Sequence, residues 1–393
     1  MSARNVQSES AAEGDLSLRL VPAFATELAT ARQRTRSQIS ASSRSPKSGE
    51  SRGDRESLRA RETRTANTKC GEIVAFKFGG TSLLGAKRLL HAAELVKPVS
   101  ASSQVVVVVS AMKGVTDKLL AVAQFLAERQ NQRARTEAEF VLRLHYDALR
   151  ELALDADDYD RVSRELDSLG RDLLHAVPVH DRVIATPELF DQLASFGERL
   201  SARLLAAALE RVGVAAVPVA SSDFVLTCDT FRDAKPHLEQ TKRRGRDVLT
   251  PLLDDDIVPV VTGFIGATPD GRITTLGRNS SDFSGAIIAH VVDADELVIW
   301  TDVDGIYDAN PNEHAQARLL HDLSYDDAHA LAAGGAKVLH PHVLPLAAET
   351  QMTIWVRNTF KPQARGTRIG HARPPHSHSQ RHSQSNQSQE GAA

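Results

Sequence analysis

The chain has 393 residues, which is enough for one large or two medium domains with a buried core. Its apolar and charged contents, 41% and 25%, are ordinary for a soluble globular enzyme, and its net charge of −3 gives no basic field for nucleic acid. Two cysteines, Cys70 and Cys228, are too few for a disulfide framework and favour a reducing, cytoplasmic location. No apolar stretch approaches the roughly 20 residues of a membrane-spanning helix, so we expect no membrane partner.

Both ends of the sequence have compositions that predict disorder. Residues 1–71 are rich in Ser, Arg and Thr, and we interpret them as a disordered extension. An organelle transit peptide is the alternative, although such peptides are poor in acidic residues and this segment is not. Residues 371–393 are rich in His, Ser and Gln, and we expect a second disordered segment rather than a metal site. Residues 72–370 are the predicted folded domain.

The central region alternates short apolar runs with amphipathic stretches. The predicted strands are 73–78, 104–110, 215–219, 257–262, 297–301 and 353–356, and the predicted helices are 86–96, 116–128, 191–211, 281–292 and 325–333. Residues 129–190 interrupt this rhythm with charged helical sequence, which predicts a helical insertion. Nearly continuous apolar strands need cover on both faces, so the pattern predicts an open, mainly parallel α/β sandwich. Ligands of such a fold bind beyond the carboxyl ends of the strands.

The segment Lys77-Phe78-Gly79-Gly80-Thr81-Ser82 directly follows the first predicted strand and precedes a helix. Its glycines let a phosphate approach backbone N–H groups, and Lys77 adds a mobile positive charge. The spacing is not that of a Walker A loop, because Ala86 occupies the position of its lysine. We interpret the segment as a phosphate cradle of another kind; a purely structural tight turn is the alternative.

Two further elements offer polar groups to a ligand. Ser110 and Thr116 flank the turn after the second strand, where their hydroxyls can bind a ligand or simply cap a helix. Glu198 stands beside a glycine in a largely apolar helix and needs a positive partner. That partner is either the ammonium group of a substrate or a neighbouring arginine, Arg199 or Arg203.

Arg278 and Asp282 bring both charge signs to a helix start that follows glycine-rich turns. Arginine can hold a carboxylate with two hydrogen bonds, and aspartate can accept from an ammonium group or orient a lysine. The pair therefore suits a zwitterionic ligand. A salt bridge between the two side chains at the helix cap is the alternative.

The predicted strand 297–301 leads into a tight Asp-Gly turn. Thr301, Asp302 and Tyr307 at this turn can surround a nucleotide. Lys337 supplies a second lysine at a glycine-rich helix end. We interpret His340, three residues later, as a structural hydrogen-bonding residue rather than a base.

Taken together, these elements resemble the catalytic domain of the aspartate kinases. The matching stretches, in chain order, are KFGGTS, SAMKGVT, SFGERLS, GFIG, TLGRNSSD, TDVDGIY and GAKVLHP. The resemblance covers residues 72–370 and implies a three-layer α/β/α fold of the amino-acid-kinase type. It also implies that ATP, with Mg²⁺, phosphorylates the side-chain carboxylate of L-aspartate, the first step toward lysine, threonine and methionine.

The resemblance implies roles for individual residues. The catalytic residues would be Lys77, Asp282 and Lys337, with Lys77 facing the transferred phosphoryl group. The substrate would contact Ser110, Thr116, Glu198, Arg278 and Ser281, with Arg278 on its α-carboxylate. The nucleotide would contact Lys77, Gly79, Gly80, Thr81, Ser82, Thr301, Asp302, Tyr307 and Lys337. No side chain is expected to be a metal ligand in its own right, since the phosphates of the nucleotide hold the Mg²⁺ in this family.

The sequence also departs from the family pattern. Asn312 replaces a usual arginine, which predicts weaker nucleotide binding, and Ser280 stands where glycine is common. The sequence stops where paired regulatory ACT domains usually follow, so we expect no feedback inhibition through them. The expected partners are L-aspartate, a second copy in a homodimer and other enzymes of the pathway. The alternatives are a kinase for glutamate, acetylglutamate or a nucleotide, and a non-catalytic regulatory homologue.

Overall fold

The structure is a computed structural model that describes residues 71–371, except for 181–182, 279, 312, 315 and 334–338. Both terminal segments, Asn312 and Lys337 therefore lie outside the described residues, and what the sequence predicts for them stays a prediction.

The strands form one large sheet and two small hairpins. In chain order they are β1 (Ile73–Phe78), β2 (Gln104–Val109), β3 (Ala216–Val219), β4 (Val258–Thr262), β5 (Ile265–Ala267), β6 (Ile273–Thr275), β7 (Glu296–Thr301), β8 (Ile306–Tyr307), β9 (Leu319–Leu320), β10 (Asp322–Leu323), β11 (Thr353–Asn358) and β12 (Thr367–Ile369). The large sheet has the order β10-β12-β11-β7-β1-β2-β4-β3. Its pairs are parallel except that β12 is antiparallel to β11.

Helices cover both faces of this sheet. They are α1 (Ala86–Ser100), α2 (Val115–Ala127), α3 (Asn131–Glu151), α4 (Ala156–His175), α5 (Pro187–Arg211), α6 (Leu238–Asp254), α7 (Ser281–Val291), α8 (Tyr325–Ala333) and α9 (Val343–Thr350). Among the described residues, no helix combines the length and apolarity needed to cross a membrane.

Two hydrophobic cores lie on opposite faces of the large sheet. Successive side chains of a strand point to opposite faces, so Phe76 and Val107 pack with α1 to α5 on one side. Ala75 and Val106 pack with α6, α7 and α9 on the other side. Burial on both faces explains the continuous apolar runs of β1 and β2, and it confirms the predicted α/β sandwich.

The predicted strands and helices are confirmed to within a few residues at their ends, and the predicted helical insertion is α3 and α4. The sequence interpretation missed α6, α9 and the short strands. Helix α6 was missed because its first half is highly charged and because Pro251 lies inside it. The hairpin strands are two or three residues long, too short to produce an alternating pattern.

The loops after β1 and β2 touch through Gly80. The carbonyl oxygen of Gly80 accepts a hydrogen bond of 3.0 Å from the N–H of Lys113. A Cβ atom at Gly80 would lie 2.4 Å from the carbonyl oxygen of Ala111, which is closer than real Cβ atoms come to backbone. Glycine is therefore required here for the two strand ends to meet.

The contact at Gly80 predicts a difference between neighbouring glycines. Gly80→Ala should lower the free energy of unfolding by about 1–3 kcal/mol, because the added methyl group must push one loop aside. In the matched control Gly79→Ala, the new Cβ would lie 3.6 Å from its nearest neighbour, which is ordinary contact, so a much smaller loss is expected. Urea unfolding of both variants measures the difference, and equal losses would contradict the packing argument.

Candidate active site

A cleft of about 1560 Å³ lies at the carboxyl ends of β1 and β7. Its lining includes Lys77, Arg278 and Asp282, which the sequence suggested for catalysis and substrate. It also includes the predicted nucleotide residues Thr301, Asp302 and Tyr307. Residues that are more than 200 positions apart in the chain thus share one cleft.

An ion pair between Lys77 and Asp282 lies in this cleft. The Lys77 Nζ atom is 2.7 Å from Oδ1 of Asp282, and the two side chains are 7% and 25% exposed. Lys77 comes from the central strand β1, and Asp282 lies in the first turn of α7. The proposed cap salt bridge between Asp282 and Arg278 is wrong, since each side chain has another partner.

Two glycines make room for the Lys77 side chain. A Cβ atom at Gly285 of α7 would lie 3.1 Å from Cβ of Lys77, so the aliphatic stem passes closely over a bare stretch of helix. A Cβ atom at Gly79 would lie 3.7 Å from the Lys77 ammonium, so that side of the cation also faces bare backbone. The arrangement leaves space for an anion beside the ammonium group.

The remaining residues of this loop anchor it to the rest of the fold. The hydroxyl of Ser82 is buried and lies 2.6 Å from the hydroxyl of Thr359, a residue at the end of β11. The carbonyl oxygen of Thr81 accepts a hydrogen bond from Arg88. The Ser82 side chain is therefore engaged in holding the loop, and the part of the loop next to the Lys77 ammonium is Gly79.

Glu198 lies deep in the protein, on the inner face of α5. Its Oε1 atom accepts a hydrogen bond of 3.0 Å from the N–H of Ala111, just beyond β2, and the residue is 3% exposed. Its Oε2 atom is buried and has no hydrogen-bond partner among the described residues. Pairing with Arg199 or Arg203, one of the two sequence interpretations, is therefore wrong.

The environment of Glu198 changes its acidity. Burial raises the pKa of its carboxyl group from 4.5 to about 8, and the hydrogen bond from Ala111 opposes this only in part. At neutral pH a carboxyl group with this pKa is mostly protonated, and a nearby cation would favour its ionised form.

The predicted hydroxyl residues lie at the starts of helices or the ends of strands. Ser110 follows β2, and its buried hydroxyl has no hydrogen-bond partner among the described residues. The same is true of Ser280, directly before α7. Thr116 and Ser281 are half-buried in the first turns of α2 and α7.

Arg278 reaches across the cleft mouth to α2. Its Nη2 atom is 2.9 Å from Oδ1 of Asp117, and the two side chains are 74% and 71% exposed. An ion pair so exposed is screened by water and contributes little to stability. Arg278 can therefore exchange this partner for the carboxylate of a ligand at low cost.

The turn after β7 is held by residues that the sequence interpretation did not identify. Asn358 donates hydrogen bonds to the carbonyl oxygen of Asp302, at 3.4 Å, and to Oδ1 of Asp304, at 2.5 Å. The Lys361 ammonium lies 2.8 Å from Asp304 and, with Asn358, lowers the pKa of that carboxyl group. Asn358 and Lys361 come from the end of β11, 50 residues and more after this turn, and no local motif could link them to it.

Known proteins resemble this chain in both sequence and fold. Residues 72–358 match the sequence model of the amino acid kinase family. Lysine-sensitive aspartokinase 3 of Escherichia coli is 31% identical over 299 residues, 76% of this chain and 64% of that protein. Aspartokinase 1, chloroplastic, of Arabidopsis thaliana is 31% identical over 305 residues, 76% of this chain and 52% of that protein.

A solved structure, E. coli aspartokinase III in complex with aspartate and ADP, matches with a TM-score of 0.68 and 30% identity. The match covers 77% of this chain and 66% of that one. The chain thus spans between half and two thirds of the length of these relatives.

The raised pKa of Glu198 predicts a dependence of stability on pH. Between pH 4.5 and about 8 the folded chain keeps a proton that the unfolded chain releases, so this group makes stability fall as pH rises. The fall is at most about 1.4 kcal/mol per pH unit. Glu198→Gln cannot ionise, so it should gain stability relative to the unsubstituted protein between pH 5 and pH 8.

Urea unfolding at several pH values measures this gain, with Glu94→Gln, at an exposed position of α1, as the control. A stability difference between Glu198→Gln and the parent that stays constant with pH would show that Glu198 is ionised throughout.

Proposed function

The chain belongs to the amino acid kinase family, and we propose that it transfers the γ-phosphoryl group of ATP to the side-chain carboxylate of L-aspartate. The observation that carries this proposal is the Lys77–Asp282 ion pair, in a cleft that also contains Arg278. The aspartokinase relatives support it, as does the likeness to an aspartokinase III that holds aspartate and ADP. By the same resemblance, the product would enter the synthesis of lysine, threonine and methionine.

The chemistry of this reaction needs positive charge more than it needs a base. The side chain of aspartate has an ordinary pKa near ~3.9, so it is already ionised at neutral pH. One of its oxygens forms a bond to the γ-phosphorus, while the bond from that phosphorus to the oxygen of ADP breaks, and no proton is transferred. The barrier comes from repulsion between the carboxylate and the phosphates, and it falls when cations hold both in line.

Lys77 is the cation best placed for this role. Its ammonium group is buried at the carboxyl end of β1 and faces the bare backbone of Gly79, where an anionic group can approach. Asp282 holds the ammonium group in place at 2.7 Å. At a buried position, a fixed positive charge stabilises the charge of the transition state more than it would in water.

Arg278 and Glu198 together suit the two ends of an amino acid. Arg278 can hold an α-carboxylate with two hydrogen bonds once it leaves Asp117. The unpartnered Oε2 atom of Glu198 can accept from a substrate ammonium group, which would also supply the missing positive charge beside that buried carboxyl group. With Arg278 on the carboxylate and Glu198 on the ammonium group, the protein would select a zwitterion.

We also propose that Mg²⁺ accompanies the nucleotide. The described residues contain no group of three or more metal-ligating side chains. Mg²⁺ does not require such a group, because it binds through substrate phosphates, waters and one or two carboxylates. Asp302 is one of several carboxylate residues that line the cleft where the nucleotide would bind. Bound there, the ion would neutralise part of the phosphate charge.

A substrate panel tests the proposed function. The purified chain, with ATP and Mg²⁺, should release ADP when aspartate is added and not when glutamate or acetylglutamate is added. Turnover of acetylglutamate without turnover of aspartate would favour another kinase of the family. Binding of aspartate without ADP release would favour a non-catalytic homologue.

Removing the Lys77 ammonium should slow the chemical step. We expect Lys77→Ala to lower kcat by roughly 10²–10³-fold, with a smaller effect on nucleotide binding, because the charge acts mainly in the transition state. Lys87→Ala removes an exposed lysine from α1 and is the matched control, with kcat unchanged. A normal kcat for Lys77→Ala in the steady-state assay would refute the role given to this residue.

Removing the Arg278 guanidinium should weaken substrate binding. We expect Arg278→Ala to raise the KM for aspartate at least tenfold, while the KM for ATP changes little, because a bidentate contact to carboxylate is lost. Arg272, a half-buried arginine that pairs with Asp270, precedes β6, and Arg272→Ala is the control. Equal KM values for aspartate in the two variants would remove Arg278 from the substrate site.

A further inference from the structure

Asp191 is a buried carboxylate that the proposed chemistry does not use. It lies in the first half of α5 and is 2% exposed. Its Oδ2 atom accepts hydrogen bonds from the N–H groups of Arg232, at 2.8 Å, and of Thr275, at 2.9 Å. Its Oδ1 atom accepts from the hydroxyl of Thr275 at 2.8 Å. One side chain thus joins α5 to two segments that are distant from it in the sequence.

Both of these segments form or contact the turn that precedes Arg278. Thr275 ends β6, and the chain then turns at Gly277, whose φ of +89° favours glycine. A Cβ atom at Gly277 would lie 2.7 Å from Oδ1 of Asp233, the residue that follows Arg232. The loop of Arg232 and Asp233 therefore packs directly against the turn that presents Arg278, and Asp191 holds this loop and β6 together.

The same helix carries Glu198. Asp191 and Glu198 are seven residues apart, which is about two helical turns, so both side chains lie on one face of α5. The corresponding rise is roughly 10 Å. Helix α5 therefore carries Glu198, the proposed contact for the substrate ammonium group. Through Asp191 it also fixes the segment that leads to Arg278, the proposed contact for the α-carboxylate.

We propose that Asp191 is a positioning residue that sets where Arg278 meets the substrate carboxylate relative to Glu198. This inference rests on the proposed function, since it assigns Arg278 to the substrate. Asp191 acts only through its hydrogen bonds to Thr275 and Arg232, and it does not touch the substrate.

The chemistry of the contacts supplies a conservative variant. Asparagine has the same shape, and its carbonyl oxygen can accept from the N–H groups of Arg232 and Thr275 in place of Oδ2. Its amide nitrogen can then donate to the hydroxyl of Thr275, which can accept as well as donate. Asp191→Asn therefore keeps the three contacts without the charge, whereas Asp191→Ala loses all three.

The test measures steady-state kinetics and hydrogen exchange of the full chain. We expect Asp191→Ala to raise the KM for aspartate about tenfold, with kcat and the KM for ATP within about twofold of the parent. Asp191→Asn should restore the KM, and Thr275→Val should raise it by a smaller factor. Hydrogen exchange at residues 272–278 should be faster in Asp191→Ala than in the parent.

Thr241→Val is the matched control for loss of a buried anchor. The hydroxyl of Thr241, near the start of α6, accepts from the N–H of Leu226 at 3.1 Å, six residues before Arg232. This variant should lose stability without a change in the KM for aspartate.

An unchanged KM in Asp191→Ala, or an equal rise in Thr241→Val, would overturn the positioning role while leaving the proposed function intact. A rise in Asp191→Asn equal to that in Asp191→Ala would also overturn it, by showing that the charge matters. If Asp191→Ala fails to fold, the KM of Thr275→Val for aspartate decides the question. A normal KM for aspartate in that variant would overturn the proposal. No turnover of aspartate by the parent chain would instead reject the proposed function.

Discussion

The ion pair between Lys77 and Asp282 is the constraint around which the rest of the site is arranged. A buried ammonium group is costly unless an anion pairs with it, and Asp282 can pair only if α7 begins beside the carboxyl end of β1. Glycine at position 285 favours the close approach, because an added Cβ atom would lie 3.1 Å from Cβ of Lys77 and would require a small shift. The pair also leaves one side of the cation facing the bare backbone at Gly79. The sheet, the helix and two glycines thus combine to present one fixed positive charge to the cleft.

Helix α5 arranges the other half of the site. It brings Glu198 under the end of β2 and joins Asp191 to the segment that ends at Arg278. The two side chains that we propose bind the substrate differ in how firmly they are held. Glu198 is buried, and one of its oxygens has no hydrogen-bond partner in the part of the chain that the structure describes, whereas Arg278 is exposed and pairs with Asp117. A substrate zwitterion would satisfy the buried group and displace the exposed pair, which is the physical basis for the proposed selectivity.

Sequence patterns predicted much of this arrangement, for reasons that are local. The runs of β1 and β2 predicted buried parallel strands. The glycine-rich segment after β1 pointed to Lys77, and the helix start after glycine-rich turns pointed to Arg278 and Asp282; all three line the cleft. Contacts between distant segments were beyond such reasoning. Ser82 and Thr359 are 277 residues apart, and Asp191 and Thr275 are 84 apart, so no spacing reveals that they meet. The sequence also left open whether Glu198 pairs with an arginine, because Arg199 and Arg203 are nearer in sequence than Ala111, which donates to it.

The central claim is that fixed cations allow a carboxylate to attack a phosphate without a base. Trapping with hydroxylamine tests it most directly, because hydroxylamine converts an acyl phosphate to a hydroxamate that can be measured. With ATP, Mg²⁺ and aspartate, the purified chain should form aspartyl hydroxamate in step with ADP, and Lys77→Ala should form far less. Release of ADP without hydroxamate, or hydroxamate formation that does not depend on Lys77, would contradict the account.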